Sequence, residues 1–111
     1  MKPHGPWHPA VLSTLSNGKK ELRLEMDAAS DHAEAFTSEG LDGSGIDWQA
    51  AFSHAMKKRD KAVWTLIEFD SEASAFIATS RDQTAIEGLG ALVKELLSNR
   101  HALERAVRER G

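Results

Sequence analysis

The residues best suited to binding or reaction are carboxylates, and eight of the 17 lie in two regions that contain no lysine or arginine. Residues 28–56 carry five of them and residues 65–80 carry three more. The whole chain has a formal net charge of −3. Binding to nucleic acid needs a basic face, which these long acidic regions do not provide, so no nucleic-acid partner is predicted. They favour a basic protein partner instead.

The glycine-rich segment around Ser44 does not match the nucleotide-binding motifs that it superficially suggests. Gly43-Ser44-Gly45 lacks the third glycine of a dinucleotide fingerprint and the lysine of a P-loop. Oxygens of Asp42, Ser44 and Asp47 suit a hard cation, so a small metal- or ligand-binding domain using residues 42–47 is one alternative. In the simpler interpretation, the glycines shape a tight connection between two helices, and Asp47 is the N-cap of the second.

No combination of residues forms a recognisable catalytic motif. His4 and His8 have the spacing of zinc ligands on a helix, but neighbouring prolines argue against a helix there. The chain has no cysteine, which excludes thiolate ligands and a cysteine nucleophile. Asp70 and Glu72 are interpreted as turn residues, because no second motif accompanies them. We therefore predict a binding protein and not an enzyme, with no cofactor and no metal.

Length and composition predict one domain in the cytoplasm. The 111 residues are close to the usual size of a single domain. Residues 1–9 contain three prolines and are predicted to form an extended lead-in to a single domain over residues 10–111. No stretch approaches the roughly 18 apolar residues of a membrane span, and no apolar run follows Lys2 as in a signal peptide. Absence of cysteine agrees with the cytoplasm, where disulfides are rare.

The first half of the chain predicts a hairpin followed by two helices. Residues 10–15 and 21–27 have strand character, the second with strict alternation of apolar and charged residues. Asn17-Gly18 between them suits a type I′ turn. An alanine-rich helix is expected over residues 27–39, with Gly40 as the residue after its end. A second helix is expected to begin after Asp47, with one strong apolar face.

The second half predicts another hairpin and a long helical tail. Residues 62–69 are apolar on both faces, which indicates a central strand, and residues 74–79 return beside it after a polar turn. Ser80 and Gln83 have the spacing of a capping box at the start of a helix. That helix either continues past Ser98 or divides into two. The predicted order is β-β-α-α-β-β-α, an α+β fold in which an antiparallel sheet of four or more strands has helices packed on one face.

Two segments resemble the immunity protein 51 family of bacterial polymorphic toxin systems. The first is Gly40-Leu41-Asp42-Gly43-Ser44-Gly45-Ile46-Asp47-Trp48, and the second is Phe69-Asp70-Ser71-Glu72-Ala73-Ser74-Ala75-Phe76. Both occur in the family's order, and the resemblance extends over roughly residues 27–97. Ser71 stands where the family pattern has proline, and Ser74 stands where it has glycine.

The resemblance implies an immunity protein that binds and neutralises a cognate toxin through an acidic surface. Many toxins of this kind are basic nucleases, so an acidic inhibitor could mask a phosphate-binding surface. The carboxylates in and beside the two motifs are the predicted contacts: Glu39, Asp42, Asp47, Glu68, Asp70 and Glu72. A structural subunit that pairs through an exposed apolar seam on its C-terminal helix is a further alternative, and the sequence does not indicate the oligomeric state.

Overall fold

The computed structural model describes residues 7–110. The strands are Val11–Thr14 (β1), Lys20–Glu25 (β2), Glu68–Phe69 (β3) and Ala75–Ser80 (β4). A 3₁₀ helix, Asp27–His32, precedes the α-helices, which are Glu34–Thr37 (α1), Gly45–Arg59 (α2), Lys61–Trp64 (α3), Gln83–Leu97 (α4) and Arg100–Glu109 (α5). Most of the proposed lead-in lies outside the described residues, including His4 of the histidine pair considered above.

The four strands form one antiparallel sheet in the order β1-β2-β4-β3, with α2 and α4 packed against it. This architecture confirms the predicted α+β fold class with helices on one face of the sheet. Within residues 7–110 no helix combines the length and the apolar character needed to cross a membrane.

The alternation in β2 has the consequence expected for a strand with one covered face. Leu22 lies opposite Ala78 and Leu24 lies opposite Phe76, and all four side chains are buried. A chain of aromatic rings continues from the sheet into the helices: Phe76 contacts Phe52 at 4.9 Å between ring centroids, Phe52 contacts Trp48 at 5.3 Å, and Trp48 contacts Phe36 at 4.5 Å. These large rings supply much of the apolar burial that stabilises the fold.

The first hairpin forms as predicted, but its turn is not of type I′. The N–H of Leu15 donates to the carbonyl of Lys19 at 2.8 Å, and the N–H of Gly18 donates to the carbonyl of Leu15 at 3.0 Å, which leaves a three-residue loop. A type I′ turn needs positive φ at both central residues, whereas among the described residues only glycines have it, Gly18 at 89°. Asn17 instead accepts the N–H of Lys19 on its side chain.

The alanine-rich segment does not form the single helix that was expected. It divides into the 3₁₀ helix and the one-turn α1, and only Ala29, Ala35 and Phe36 are buried. Three buried side chains give a long α-helix little support from the rest of the fold. The segment therefore changes from 3₁₀ to α-helical geometry along its length. Gly40 does end α1 as predicted: its φ is 78°, and the N–H of Leu41 donates back to the carbonyl of Phe36 at 3.0 Å.

Asp47 is not the N-cap of α2. The N-cap is Ser44, whose hydroxyl accepts the N–H of Asp47 at 3.4 Å, and the Asp47 carboxylate accepts the N–H groups of Ser44 at 3.3 Å and Gly43 at 2.9 Å. The two residues form a capping box, so the helix begins three residues earlier than the Asp47 interpretation placed it.

The predicted central strand over residues 62–69 is wrong. Asp60 accepts the N–H of Val63 on its side chain and starts the one-turn α3, and only Glu68 and Phe69 pair as an edge strand. Trp64 Nε1–H donates to Ser53 Oγ at 2.9 Å, which ties α3 to α2. The first apolar residues of this segment therefore lie on the single turn of α3, beside α2 and α4. They do not cover the two faces of a strand. The two interior positions of the sheet belong to β2 and β4.

The C-terminal helices also begin at residues other than the predicted caps. Ser80 Oγ donates to the carbonyl of Leu66 at 2.7 Å, and Asp82 caps α4 by accepting the N–H of Ala85 at 2.8 Å, so Ser80 and Gln83 form no capping box. Asn99 caps α5, which separates it from α4. The residues of the proposed apolar seam are all buried: Leu89, Val93, Leu96, Leu103 and Val107.

Gly45 permits the closest backbone contact of α2, and its replacement gives a direct test. An added Cβ would lie 2.1 Å from the carbonyl oxygen of Glu72 and 2.2 Å from that of Ala75. Gly45→Ala should therefore lower the free energy of unfolding by about 3 kcal/mol or more, since backbone atoms must move. Urea unfolding monitored by tryptophan fluorescence measures this change.

Gly88→Ala is the matched control. Gly88 lies inside α4, and the nearest atom to an added Cβ is Val63 Cγ1 at 3.9 Å. Alanine should stabilise the helix by about 0.5–1 kcal/mol relative to glycine. Equal effects of the two substitutions would contradict the packing of α2 described here.

Candidate protein-binding surface

The sheet face turned away from the helices carries charged side chains in three rows that run across the strands. Each row joins a residue of β2, a residue of β4, and a residue of β3 or the turn that follows it. The rows are Glu21, Thr79 and Glu68; Arg23, Ile77 and Asp70; and Glu25, Ala75 and Glu72. Since adjacent strands are about 4.8 Å apart, the outer members of a row have backbones about 10 Å apart.

A groove of about 490 Å³ lies along the first of these rows and continues along the β3 side of the other two. Ile77 and Thr79 of the central strand form its floor. Glu21 lies on one side, and the acids of the β3 side lie on the other: Glu68, Asp70 and Glu72. The first hairpin closes one end with Asn17 and Lys19. Three of the six acids predicted from the sequence are thus brought together on one open surface.

Two cations on this face pair with three of the carboxylates. Lys19 Nζ lies 2.8 Å from Glu68 Oε2. Arg23 Nε lies 2.6 Å from Glu25 Oε1, and Arg23 Nη2 lies 3.8 Å from Glu72 Oε1. Glu21 and Asp70 take part in no ion pair with any residue between 7 and 110. The rows together with Lys19 contain five carboxylates and two cations, so the face carries an excess of negative charge.

These ion pairs shift the pKa values of Glu68 and Arg23. The hydrogen bond from Lys19, strengthened by the charges of Lys19 and Arg81, holds the pKa of the Glu68 carboxyl below its usual range. The hydrogen bond to Glu25 raises the pKa of the Arg23 guanidinium. The side chains of Glu68 and Arg23 remain substantially exposed. These pairs therefore orient the charges on the surface and contribute little to overall stability.

The other three predicted contacts lie elsewhere. Glu39 and Asp42 are exposed at the end of α1 and in the loop before α2, and neither lines the groove. Asp47 is half-buried, and its carboxylate accepts two backbone N–H groups at the start of α2. The structure therefore assigns Asp47 a helix-capping role, while Glu39 and Asp42 form a second, smaller acidic area.

The structure does not assemble a metal centre from the described residues. No group of three or more His, Asp or Glu side chains in that part of the chain is arranged to hold an ion. Asp47 Oδ2, one of the oxygens that would serve the proposed loop site, already accepts two backbone N–H groups.

The helical side of the molecule has a different charge pattern. A depression of about 230 Å³ lies between α2, α4 and α5. Its rim alternates in sign and is closed by the pairs Lys58–Glu109, at 3.0 Å, and Arg59–Glu95. The rim charges therefore largely compensate one another, in contrast to the sheet face.

Sequence reasoning missed several residues of the groove: Lys19, Glu21, Ile77 and Thr79. A usable signal was present in β2, where Glu21, Arg23 and Glu25 alternate with the buried leucines and must share the uncovered face. Pairing of β2 with β4 brings that face beside the β3 turn, and this pairing joins residues fifty or more positions apart.

The lowered pKa of Glu68 should depend on Lys19. In Lys19→Met the hydrogen bond and the neighbouring charge are both lost, so the pKa of Glu68 should rise towards its ordinary value. Titration of side-chain carboxyl carbons by NMR measures it. Because the pKa is depressed in the folded state, the small stabilisation from this pair is present above the unfolded-state pKa and is lost as pH falls through the folded-state pKa.

Glu109 provides an internal control for that titration. Its pKa is also lowered, chiefly by a hydrogen bond from Lys58 on the helical side. It should titrate unchanged in Lys19→Met and rise in Lys58→Met. A Glu68 midpoint that does not move in Lys19→Met would contradict the geometry of the groove.

The two segments that carry the family resemblance contact each other directly. The N–H of Gly45 donates to the carbonyl of Ala73 at 2.9 Å. The N–H of Ser71 donates to Gln49 Oε1 at 2.9 Å, a bond that a proline at position 71 would not permit. Ser74 needs no glycine, since its φ is negative. The motifs are thus two halves of one structural contact beside the groove.

Comparison with known proteins confirms the family resemblance. A family model described as immunity protein 51 matches residues 13–111. No curated protein and no solved structure matches the chain. Since the family model extends over nearly the whole chain, including all four strands except the first two residues of β1, the chain belongs to the immunity protein 51 family.

Proposed function

We propose that this protein binds a cognate toxin through the open face of its sheet and thereby neutralises it in the cytoplasm of the producing cell. The observation that carries the proposal is an uncovered, negatively charged groove in a chain of an immunity protein family. Immunity proteins of this type act by forming a complex, and a complementary surface is what that action needs.

The carboxylates without ion-pair partners are the strongest candidates for toxin contacts. Glu21 and Asp70 lie in adjacent rows on opposite sides of the groove. Neither carboxylate is held in an ion pair within the described residues, so a basic partner gains attraction without first breaking an internal pair. Glu68 and Glu72 add to the same surface after their cations rearrange.

A basic nuclease is the toxin class that fits this charge pattern best. Such an enzyme holds the phosphate backbone of its substrate on lysine and arginine side chains. An acidic face of matching shape would cover those cations and exclude the nucleic acid. The inhibitor then acts by occupying a surface, and it needs no catalytic group of its own.

The two alternatives drawn from the sequence receive less support. In the loop of residues 42–47, the Asp47 carboxylate is already hydrogen-bonded to the backbone. The apolar residues of the proposed helical seam are buried inside the fold, so the specific feature that favoured a structural subunit is not on the surface.

Co-expression tests the proposal directly. We expect a toxin gene beside the gene of this protein. That toxin should arrest growth of a host cell when expressed alone, and growth should resume when this protein is present. Purified proteins should also form a stable complex whose association slows as salt concentration rises. Arrest that persists despite equal expression of the folded protein would show the proposal to be wrong.

Neutralising the two acids without ion-pair partners should weaken the complex. We expect Glu21→Gln combined with Asp70→Asn to reduce toxin affinity at least about tenfold, equivalent to about 1.4 kcal/mol, through lost attraction to partner cations. Isothermal titration calorimetry at low salt measures this loss.

Glu39→Gln combined with Asp42→Asn is the matched control. It makes the same change in net charge on the second acidic area, and affinity should fall by less than about threefold. A larger loss of toxin affinity in this control than in the groove variant would indicate that the toxin binds at the loop before α2.

A further inference from the structure

The side chain of Lys19 crosses the groove from one side to the other. Lys19 directly precedes β2, and Glu68 pairs with Thr79 on the far side of the central strand. The Lys19 ammonium nevertheless reaches Glu68 at 2.8 Å. Only 23% of the lysine side chain is exposed, against 71% of the glutamate side chain. The lysine therefore lies within the groove as an internal cation.

The groove offers the environment that a long cationic side chain requires. Its floor contains Ile77, which is 8% exposed, and Thr79, and both can cover an aliphatic stem. Carboxylates of Glu21, Glu68 and Asp70 surround the floor and can receive a charged head. Lys19 fills only the end at Glu68, and no cation pairs with Glu21 or Asp70 among the described residues.

We propose that the groove receives an arginine side chain of the partner, and that this arginine displaces Lys19 from Glu68 on binding. The inference rests on the proposed function, since it assigns the chemistry of the toxin group that enters the groove. Arginine fits better than lysine because its planar guanidinium has five donors and can bridge carboxylates on two sides of the groove. The Glu68 side chain is 71% exposed, and a pair with one carboxylate in solvent contributes little net stability, so a partner cation can replace Lys19 at little cost.

The displacement makes Lys19 a competitor of the partner. In the free protein it compensates the charge of Glu68, and Arg81 adds positive potential at the same end of the groove. Removal of the Lys19 charge leaves Glu68 open and increases the negative potential on the floor. Loss of this lysine should therefore tighten binding, although loss of a surface charge is usually neutral or harmful to a complex.

The test uses N-acetyl-arginine amide as the probe and N-acetyl-citrulline amide as its uncharged match. Each is titrated into the full-length protein while backbone amide signals are followed by NMR. The arginine probe should shift the signals of Glu68 and Thr79, and the citrulline probe should not. Lys19→Met should bind the arginine probe about fivefold more tightly than the unaltered protein, the effect of one unit charge a few ångströms away in water.

Two further variants separate displacement from general electrostatics. Lys58→Met removes the lysine of the comparable Lys58–Glu109 pair on the helical side and changes the net charge by the same amount. Its affinity for the probe should stay within about twofold of the unaltered protein. Lys19→Met combined with Glu68→Gln should lose the gain of Lys19→Met, because the freed carboxylate is then absent. Equal affinities of Lys19→Met and Lys58→Met, or probe shifts away from the groove, would overturn the inference.

The co-expression experiment distinguishes this inference from the proposed function. Protection from the toxin together with no gain in Lys19→Met overturns the arginine assignment and leaves the immunity function supported. Tighter probe binding in Lys19→Met without protection supports an arginine-binding groove and overturns the toxin as its partner. Both protection and faster association of the toxin with Lys19→Met than with Lys58→Met are the expected results.

Discussion

The first turn of α2 lies directly against the backbone of the turn between β3 and β4. The N–H of Gly45 bonds to the carbonyl of Ala73, and no side chain can stand between them because an added Cβ would meet two carbonyl oxygens at little more than 2 Å. Gln49, one turn later on α2, accepts the N–H of Ser71. These two bonds attach α2, the helix that carries Trp48 and Phe52, to the turn that carries Asp70 and Glu72.

This contact explains how a small protein can hold an acidic surface in a defined shape. The turn that bears Asp70 and Glu72 would otherwise be a short exposed connection, and such connections are mobile. Here its backbone is held by α2 on one side, and on the other side the Ser71 hydroxyl accepts a hydrogen bond from the N–H of Ile77 at 2.9 Å. A surface whose charges are positioned before binding loses less conformational entropy when a partner arrives.

The capping box at Ser44 and Asp47 completes the arrangement. It satisfies free N–H groups at the start of α2, so this buried helix end carries its own hydrogen-bond partners. The family motif therefore combines a capping pair, a glycine for close approach, and Trp48, which enters the aromatic core. Residues 40–48 support the turn that carries the acidic residues, but none of them lines the groove.

The amino-acid sequence by itself determined the local features whose physical cause is local. Alternation in β2 identified a strand with one covered face, Asn17-Gly18 identified a hairpin, and Gly40 identified a helix end. The fold class and the family followed from such signals. Local signals also misled where tertiary contacts overrode composition. Residues 62–69 have strand composition, but Asp60 caps a helical turn there, and contacts with α2 and α4 favour it.

Only the tertiary structure decided which charges act together. Glu68, Asp70 and Glu72 were recognisable as an acidic group, whereas their neighbours Lys19 and Glu21 come from a hairpin about fifty residues earlier. Strand order and register bring them to one face, and these depend on long-range packing that no short segment encodes. The same packing separated Asp47 from the groove, because its carboxylate is used at the start of α2, where the helix meets the turn.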